Sequence, residues 1–467
     1  MSGRRAQGRF LTGSTMGHVV RMTLTGTMGI TFVFIVDAAN LFWVSMLGDA
    51  KLVAAIGFAF AIQYFSVSSG IGLMVASTAL VARRIGAGDR DSARQTATST
   101  AITAGVIQSL MALLIIVFRH DLLALAGATG ETAALAARYL AMSVPSLGVM
   151  AVAMIASGTL RAEGDGKRSM MVTLSSGAVA MVIDPMLIYA LGLGLDGAAI
   201  GLNLSRFVML VVALSFVIRV HDLMAVPAWA DLRATMRPYM VIALPAILTQ
   251  MSTPVGNYLL TTVMAQFGDD AVAAWAVVGR LTVVAFGGIF SLAGAIGGIF
   301  GQNFGGRKYD RLQAVYRDAI LFGFFYTLVT WALLVLAGPV ITAGFGLSPL
   351  GAEIVTAFTH IGAGGFIFAA ALFVSNAAFN ALGKPLWSTW TNWVRDGVLT
   401  LPAGLLLAGW FAAPGVIYAQ ALASVIAGLV AGLWGWRYVR GLARQELPAL
   451  DLDPPRPYAH ADRFRRR

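Results

Sequence analysis

The sequence predicts an all-α integral membrane protein of twelve transmembrane helices, arranged as two similar six-helix lobes. Three observations carry that prediction. The chain of 467 residues is 58% hydrophobic and 12% charged, with a mean hydropathy of +0.77. A soluble domain of that composition lacks the polar surface to stay in solution. The charges are also segregated: stretches 97–117 and 322–352 hold none. Finally, the two halves repeat each other at an offset of about 219 residues. Leu80-Val-Ala-Arg-Arg-Ile-Gly-Ala-Gly-Asp-Arg-Asp91 is echoed by Ile299-Phe-Gly-Gln-Asn-Phe-Gly-Gly-Arg-Lys-Tyr-Asp310, which pairs Gly86 with Gly305 and Asp91 with Asp310. Such a repeat suggests two similar bundles rocking around a central site.

A helix that crosses about 30 Å of hydrocarbon needs about 20 apolar residues. In order, such segments are expected at 19–47, 52–82, 95–118, 135–160, 169–191, 197–219, 238–267, 271–302, 313–338, 353–380, 387–409 and 414–436. Six in each half means each half returns to its starting side. The expected organisation is an N-terminal segment 1–18, a first lobe 19–220, a linker 221–237, a second lobe 238–440 and a disordered basic tail 441–467. The linker is the most polar internal stretch, and Trp229 suggests a short helix at headgroup level. The tail carries Pro454-Pro455-Arg-Pro457 and cannot bury a core.

The net charge of +11 is distributed asymmetrically. Arginines and lysines crowd the termini and the even-numbered loops, as at Arg83, Arg84, Arg90, Arg94, Arg161, Lys167, Arg168, Arg307, Lys308 and Arg311. The odd-numbered loops hold mainly acids, such as Asp49, Asp121, Glu131 and Asp196. This is the positive-inside pattern, so both termini are expected in the cytoplasm and the protein in the cell's inner (plasma) membrane. Basic character then reports topology, and no nucleic-acid partner is expected. The chain has no cysteine, which excludes disulfides and thiolate chemistry. The first apolar stretch is long enough to span, so it reads as a helix and not as a cleaved leader. Enzyme signatures are absent. Gly-Ala-Gly-Asp at 86–89 follows no strand and lacks the lysine of a phosphate loop. No cofactor is expected, and energy must come from an ion gradient or the substrate's own gradient.

Ionisable groups deep in a bilayer cost about 2.5–3.5 kcal/mol on insertion scales, so each is a functional candidate. Asp37, Asp184, Arg206, Arg280, Arg395 and Asp396 lie at such depth. Asp37 and Asp184 fall in the same lobe, and two carboxyls in one watery recess can take a proton or sodium on one side and release it on the other. Pairing of these acids with Arg206 is the alternative, and the two readings are compatible. No other residue type here suggests a metal site, though sodium at Asp37 and Asp184 remains open. The second lobe has no matching acids, since Asp37 registers with Asn257 and Asp184 falls near Ala403. Asn40, Gln63, Tyr139, Asn203, Arg206, Asn257, Trp275 and Asn376 are polar or aromatic groups at helical depth that could line a cation or substrate cavity; for any one, an interhelical hydrogen bond is the competing reading. Pro245 and Pro254 each remove a backbone hydrogen bond and mark span seven as a place to bend. Arg395 and Asp396 are neighbours that point about 100° apart on a regular helix, so bonding to backbone carbonyls is expected of Arg395 and Arg280, with an anion site as the weaker alternative.

Over 19–440 the chain resembles the multidrug and toxic compound extrusion (MATE) transporters. The resemblance rests on Ala79-Leu-Val-Ala-Arg-Arg-Ile-Gly-Ala-Gly-Asp89 with its echo Gly301-Gln-Asn-Phe-Gly-Gly306, on Gly158-Thr-Leu-Arg-Ala-Glu-Gly-Asp165, and on Asp184-Pro-Met-Leu-Ile-Tyr189 followed by Gly194 and Gly197-Ala-Ala. It implies two six-helix lobes forming a V, alternating access, and export of cationic or amphipathic small molecules against protons or sodium. The first-lobe acids look like those of the DinF-like branch. Asp184 falls where that branch carries its span-five acid, and Tyr139 resembles a span-four tyrosine near the same cavity. The branch's span-one acid position is Asn40 here, with Asp37 about one turn earlier. The expected function is a monomeric, cation-coupled multidrug exporter, and not an enzyme. A flippase for a lipid-linked or saccharide substrate is the alternative within transport; a non-transporting receptor or scaffold is the alternative outside it.

Overall fold

The computed structural model describes residues 8–442. The first seven residues and the tail from 443 lie outside the described residues, so most of the expected disordered tail does too. Eleven helices are long and apolar enough to cross a membrane. They are α1 (Thr15–Ser45), α2 (Ala50–Gly86), α3 (Arg90–Val117), α4 (Gly130–Glu163), α5 (Gly166–Ala190), α6 (Gly194–Val220), α7 (Trp229–Phe267), α8 (Asp269–Gly305), α9 (Tyr309–Gly344), α10 (Pro349–Leu382) and α12 (Pro414–Leu442). The twelfth span, α11, runs over 385–411 as two helical pieces, Pro385–Trp393 and Thr400–Phe411, joined by the wide π turn Val394–Leu399. It lies where the sequence predicts a span at 387–409 and carries Arg395 and Asp396 at its centre.

Helix starts follow from side chains that take up free backbone N–H groups. Asp49 caps α2 at Lys51, Asp89 caps α3 at Ser92 and Asp165 caps α5 at Arg168. The repeat shows in the irregularities as well as in the helices. Both α4 and α10 contain a short 3-10 step, at Val144–Ser146 and Gly362–Gly365, and both end on a left-handed glycine, Gly164 (φ 88°) and Gly383 (φ 94°). Glycine adopts that backbone without steric cost.

The glycine-rich motifs are where the lobes cross. A Cβ on Gly86 would lie 2.0 Å from the Gln302 carbonyl oxygen, and one on Gly305 would lie 1.9 Å from that of Arg83. The two contacts are images of each other under the repeat. So are two hydrogen bonds: Arg83 donates to the Ala381 carbonyl (2.8 Å) and Gln302 donates to the Ala162 carbonyl (2.5 Å). The N-terminal segment seals this end. Buried Phe10 donates its N–H to Gln302 Oε1 (2.9 Å), and its carbonyl accepts from Arg311 (3.0 Å).

Contact between lobes continues along two helix pairs. On α1 and α8, Ser291 donates to the Thr23 carbonyl (3.0 Å), and Gly287 faces Ile30 and Thr31. On α2 and α7, Gly72 lies against the backbone of Ile247. Towards the opposite end the facing side chains become exposed, among them Phe34, Phe65, Tyr258 and Val284. The lobes therefore meet at the end rich in arginine and part at the other, giving a V.

The linker is shorter than the sequence predicts. Only 221–228 is non-helical, because the polar residues from Trp229 onward form the first turns of α7. Its first half is fastened to the first lobe. His221 bonds Asp165 Oδ2 (2.9 Å), Arg94 pairs with Asp222 (3.1 Å), Leu223 is fully buried, and Ala225 donates to Thr98 Oγ1 (2.9 Å). Burial works against the Asp165 charge. Hydrogen bonds from Arg168 and His221 outweigh it and hold this carboxyl below its ordinary range.

Candidate functional site

The first lobe holds a cluster of polar side chains from α1, α2, α4, α5 and α6. Asp184 lies on one side, two turns before the end of α5. Pro185 follows it and withholds a backbone N–H, and the helix widens into a π turn at Met186–Ala190. Asn40 Nδ2 on α1 donates to Asp184 Oδ2 (2.7 Å). The other oxygen, Oδ1, is buried and has no partner. It lies over Gly201 of α6, where a Cβ would stand 2.0 Å away. The side chain as a whole is 3% exposed. A buried carboxylate with one amide partner and one bare oxygen is costly to keep charged.

Asp37, one turn earlier on α1, is exposed. It lies within the electrostatic reach of Arg206, and Tyr139 lies within reach of Arg206, Asp184 and Asp37 together. Neither acid forms an ion pair among the described residues. Arg206 is engaged elsewhere. Its guanidinium donates to the Ser143 carbonyl (2.9 Å), Ser146 Oγ (2.8 Å) and Gln63 Oε1 (3.1 Å). The contact falls at the α4 step. Leu147 N–H turns back to Val144, and the Ser143 carbonyl accepts from the arginine and from Ser146 Oγ (2.9 Å). Gln63 in turn donates to Ser143 Oγ (3.0 Å), and Asn203 donates to the Met142 carbonyl (2.8 Å). The structure thus gathers Asp37, Asn40, Gln63, Tyr139, Asn203 and Arg206 around Asp184, and it directs Arg206 to α4 and α2 and not to the acids.

The other expected cavity residues sit apart. Asn257 is exposed on α7. Trp275 is packed in the second-lobe core and donates to Thr261 Oγ1 (3.0 Å). Asn376 is buried where α10 meets α11, accepting from Thr391 through its side chain (3.4 Å) and from Ser388 through its carbonyl (3.2 Å). Pro245 and Pro254 lie inside α7; the interior residue that leaves helical dihedrals is Phe286 of α8 (φ −106°, ψ 16°).

Arg395 and Asp396 pair with each other, contrary to the expectation from helix geometry. Arg395 donates to both carboxylate oxygens (2.7 and 2.9 Å), and Ser252 of α7 donates to one of them (2.9 Å). Among the described residues Arg395 forms no other ion pair, and the bidentate pair offsets part of the cost of burying two charges. This contact is the counterpart of an apolar one. In the first lobe the equivalent residue is Gly177, packed on Phe32 and Val36; in the second it is Asp396, packed on Ser252 and Gly256. The reverse holds one layer further out. Asn40 in the first lobe corresponds to Leu260 in the second, and Asp184 falls at Ala403, whose neighbour Gly404 packs against Leu260.

No group of three or more His, Cys, Asp or Glu that could hold a metal occurs among the described residues.

Comparison with known proteins agrees with this fold. The chain is 24% identical over 427 residues to a FAD transporter of Shewanella oneidensis, covering 90% of this chain and 94% of that one. It is 25% identical over 309 residues to the multidrug export protein MepA of Staphylococcus aureus, covering 64% of this chain and 67% of MepA. Among solved structures it matches a MOP superfamily transporter from Pyrococcus furiosus with a TM-score of 0.87 at 23% identity, over 94% of this chain and 98% of that one. The MatE family model matches residues 27–186 and 245–406, one segment in each lobe. The chain belongs to the MatE family of multidrug and toxic compound extrusion transporters.

Proposed function

We propose that this protein is a secondary active exporter of amphipathic small molecules, driven by protons that load the Asp37–Asn40–Asp184 pocket. The bare Oδ1 of buried Asp184 carries this reading. An isolated carboxylate there is costly, and one proton discharges it. Asn40 donates its amide N–H to Oδ2, which leaves Oδ1 as the oxygen open to the ion. Multidrug export by MepA and flavin transport by the Shewanella protein support small-molecule cargo. The positive-inside asymmetry supports an inner-membrane location with both termini in the cytoplasm. In this reading the chain works as a monomer. Proton loading favours one arrangement of the lobes and cargo the other, and α7, with Pro245 and Pro254, supplies the bend.

The test is rhodamine 123 uptake into inverted membrane vesicles under imposed pH or sodium gradients. Wild-type uptake should follow the proton gradient, and Asp184→Asn should uncouple it. Uptake that ignores both gradients in both proteins overturns the proposal. Uptake that follows sodium alone replaces the ion and keeps the pocket.

A further inference from the structure

The end at which the lobes meet holds two niches related by the repeat. The first is filled by the chain itself. Phe10 donates its N–H to Gln302 (2.9 Å), and its ring packs edge-on to His18, with centroids 5.2 Å apart. A Cβ on the left-handed Gly164 would meet Phe10 at 3.1 Å and Arg9 at 3.3 Å. Under the offset of the repeat the second niche has Arg83 for Gln302, Gly383 for Gly164 and Lys384 for Asp165, while Arg237 falls at Gly17–His18. The stretch leading into α7 is the counterpart of the N-terminal segment, but it is bonded to α3 and α5 instead. No segment of the described residues fills the second niche.

That niche is an open recess of about 350 Å³, with Arg83, Arg237, Val241, Gly383 and Pro385 among its walls and no acidic residue. Arg83 uses Nε and Nη2 on the Ala381 and Asn380 carbonyls (2.8 and 3.2 Å), and its Nη1 has no partner among the described residues. Arg237 is exposed and forms no hydrogen bond or ion pair among them. Pro385 opens the first piece of α11, and no side chain caps that helix start, so its free N–H groups add positive potential beside the two guanidinium groups. The first niche fits an apolar ring; the second fits an anion.

The walls indicate where the anion comes from. Arg83 lies in the last turn of α2, and Arg237 directly precedes the span expected at 238–267. Both stand at the edge of the apolar spans, on the side that the positive-inside pattern makes cytoplasmic. From the recess, one face of α7 continues through Val241, Leu244 and Leu248, and α11 adds Leu386 and Trp390; all five are exposed. The two helices pack together, with Thr389 donating to the Pro245 carbonyl (2.9 Å). A basic recess at phosphate level therefore opens onto apolar walls of the length that acyl chains need.

We propose that this recess binds the phosphate of an anionic phospholipid from the cytoplasmic leaflet, with its acyl chains along α7 and α11. Guanidinium groups suit a phosphate because they offer paired donors in a fixed plane. Arg83 belongs to the first lobe, and Arg237 and α11 belong to the second. The bound lipid therefore ties the joined ends of the lobes together. The site is separate from the acids of the first lobe and does not depend on the exporter reading.

The test is native mass spectrometry of the full chain in mild detergent, titrated with dioleoyl phosphatidylglycerol or dioleoyl phosphatidylcholine. The two lipids share their chains and differ in net charge. Wild type should bind the first phosphatidylglycerol about tenfold more tightly than the first phosphatidylcholine, as expected for a charged hydrogen bond gained. Arg237→Gln removes an exposed side chain that has no partner among the described residues, so it should fold, and it should cut that preference severalfold. Arg237→Lys should keep part of it. Lys167→Gln, exposed at the matching start of α5, should leave it intact. Equal binding of the two lipids by wild type overturns the proposal. Equal losses in Arg237→Gln and Lys167→Gln also overturn it, since they report only general basic charge. Inorganic phosphate or glycerol phosphate that displaces phosphatidylglycerol at equal concentration assigns the recess to a soluble anion and overturns the lipid. A preference seen only in a chain ending at Leu442 gives the recess to the chain's own tail and overturns it as well. No gradient enters the measurement, so a failure of ion coupling is read separately.

Discussion

Gly201 sets how closely the Asp184 carboxyl approaches α6. A methyl group there would stand 2.0 Å from Oδ1, so the acid must swing away or the helices must part. Gly201→Ala should therefore impair gradient-driven uptake about as much as loss of the acid, although no charge changes. Uptake measured in vesicles at matched expression checks this; wild-type coupling would show that the position of Oδ1 is unimportant. At this scale the sequence was informative wherever a charge interrupts an apolar run. Asp37, Asp184, Arg206 and Arg280 stand out for that reason alone. Their partners do not stand out. Asn40 pairs with Asp184, 144 positions away, and Arg206 binds a carbonyl at the α4 step. The adjacent pair Arg395–Asp396 departs from regular helix spacing because burial, and not side-chain direction, decides its partner.

Among the elements, α2 and α8 are the most constrained. Gly86 meets backbone, not a side chain that can yield, and Gly305 does the same from the other lobe. Gly86→Ala should push the lobes apart at the arginine-rich end. The chain has no cysteine, so a single Ser291→Cys reporter is clean. In the wild-type background Ser291 is buried, and that cysteine should resist a water-soluble maleimide; with Gly86→Ala its labelling should rise severalfold. Unchanged labelling would show that another contact holds the lobes together. The repeat made this crossing visible in sequence as two matching motifs, but not that the motifs touch each other. All twelve spans could be read as apolar segments, α11 among them at 387–409, but the π turn that divides α11 around Arg395 and Asp396 could not. The step at Phe286 in α8 had no proline to announce it; the ring is stacked on Phe366 at 3.9 Å, so packing between side chains sets the backbone there.

The molecule as a whole is two lobes joined by a linker that belongs to the first. Residues 221–225 are bonded to α3 and the start of α5, which leaves 226–228 as the free connection to α7. Because the Asp165 carboxyl is held below its ordinary range, its contribution is present at neutral pH. It is lost only as pH falls below about 4 and through the folded value. Asp165→Asn should lower stability at pH 7 by about 1–3 kcal/mol, the value of charged hydrogen bonds, and the deficit should vanish in strong acid. Thermal melts of both proteins across pH check this; equal melts at pH 7 would remove the latch from the account. The asymmetry between the lobes was legible as an absence of second-lobe acids at the matching positions. The inversion of polar and apolar layers between the α1–α5 and α7–α11 contacts was not, because it depends on which residues meet across helices.

The most direct measurement is proton release from purified protein in weakly buffered solution, followed with a pH-sensitive dye as a transported compound is added. The account predicts that wild type releases protons on binding and that Asp184→Asn, binding the same compound, releases none. Equal release from the two proteins, or none from wild type, would contradict it.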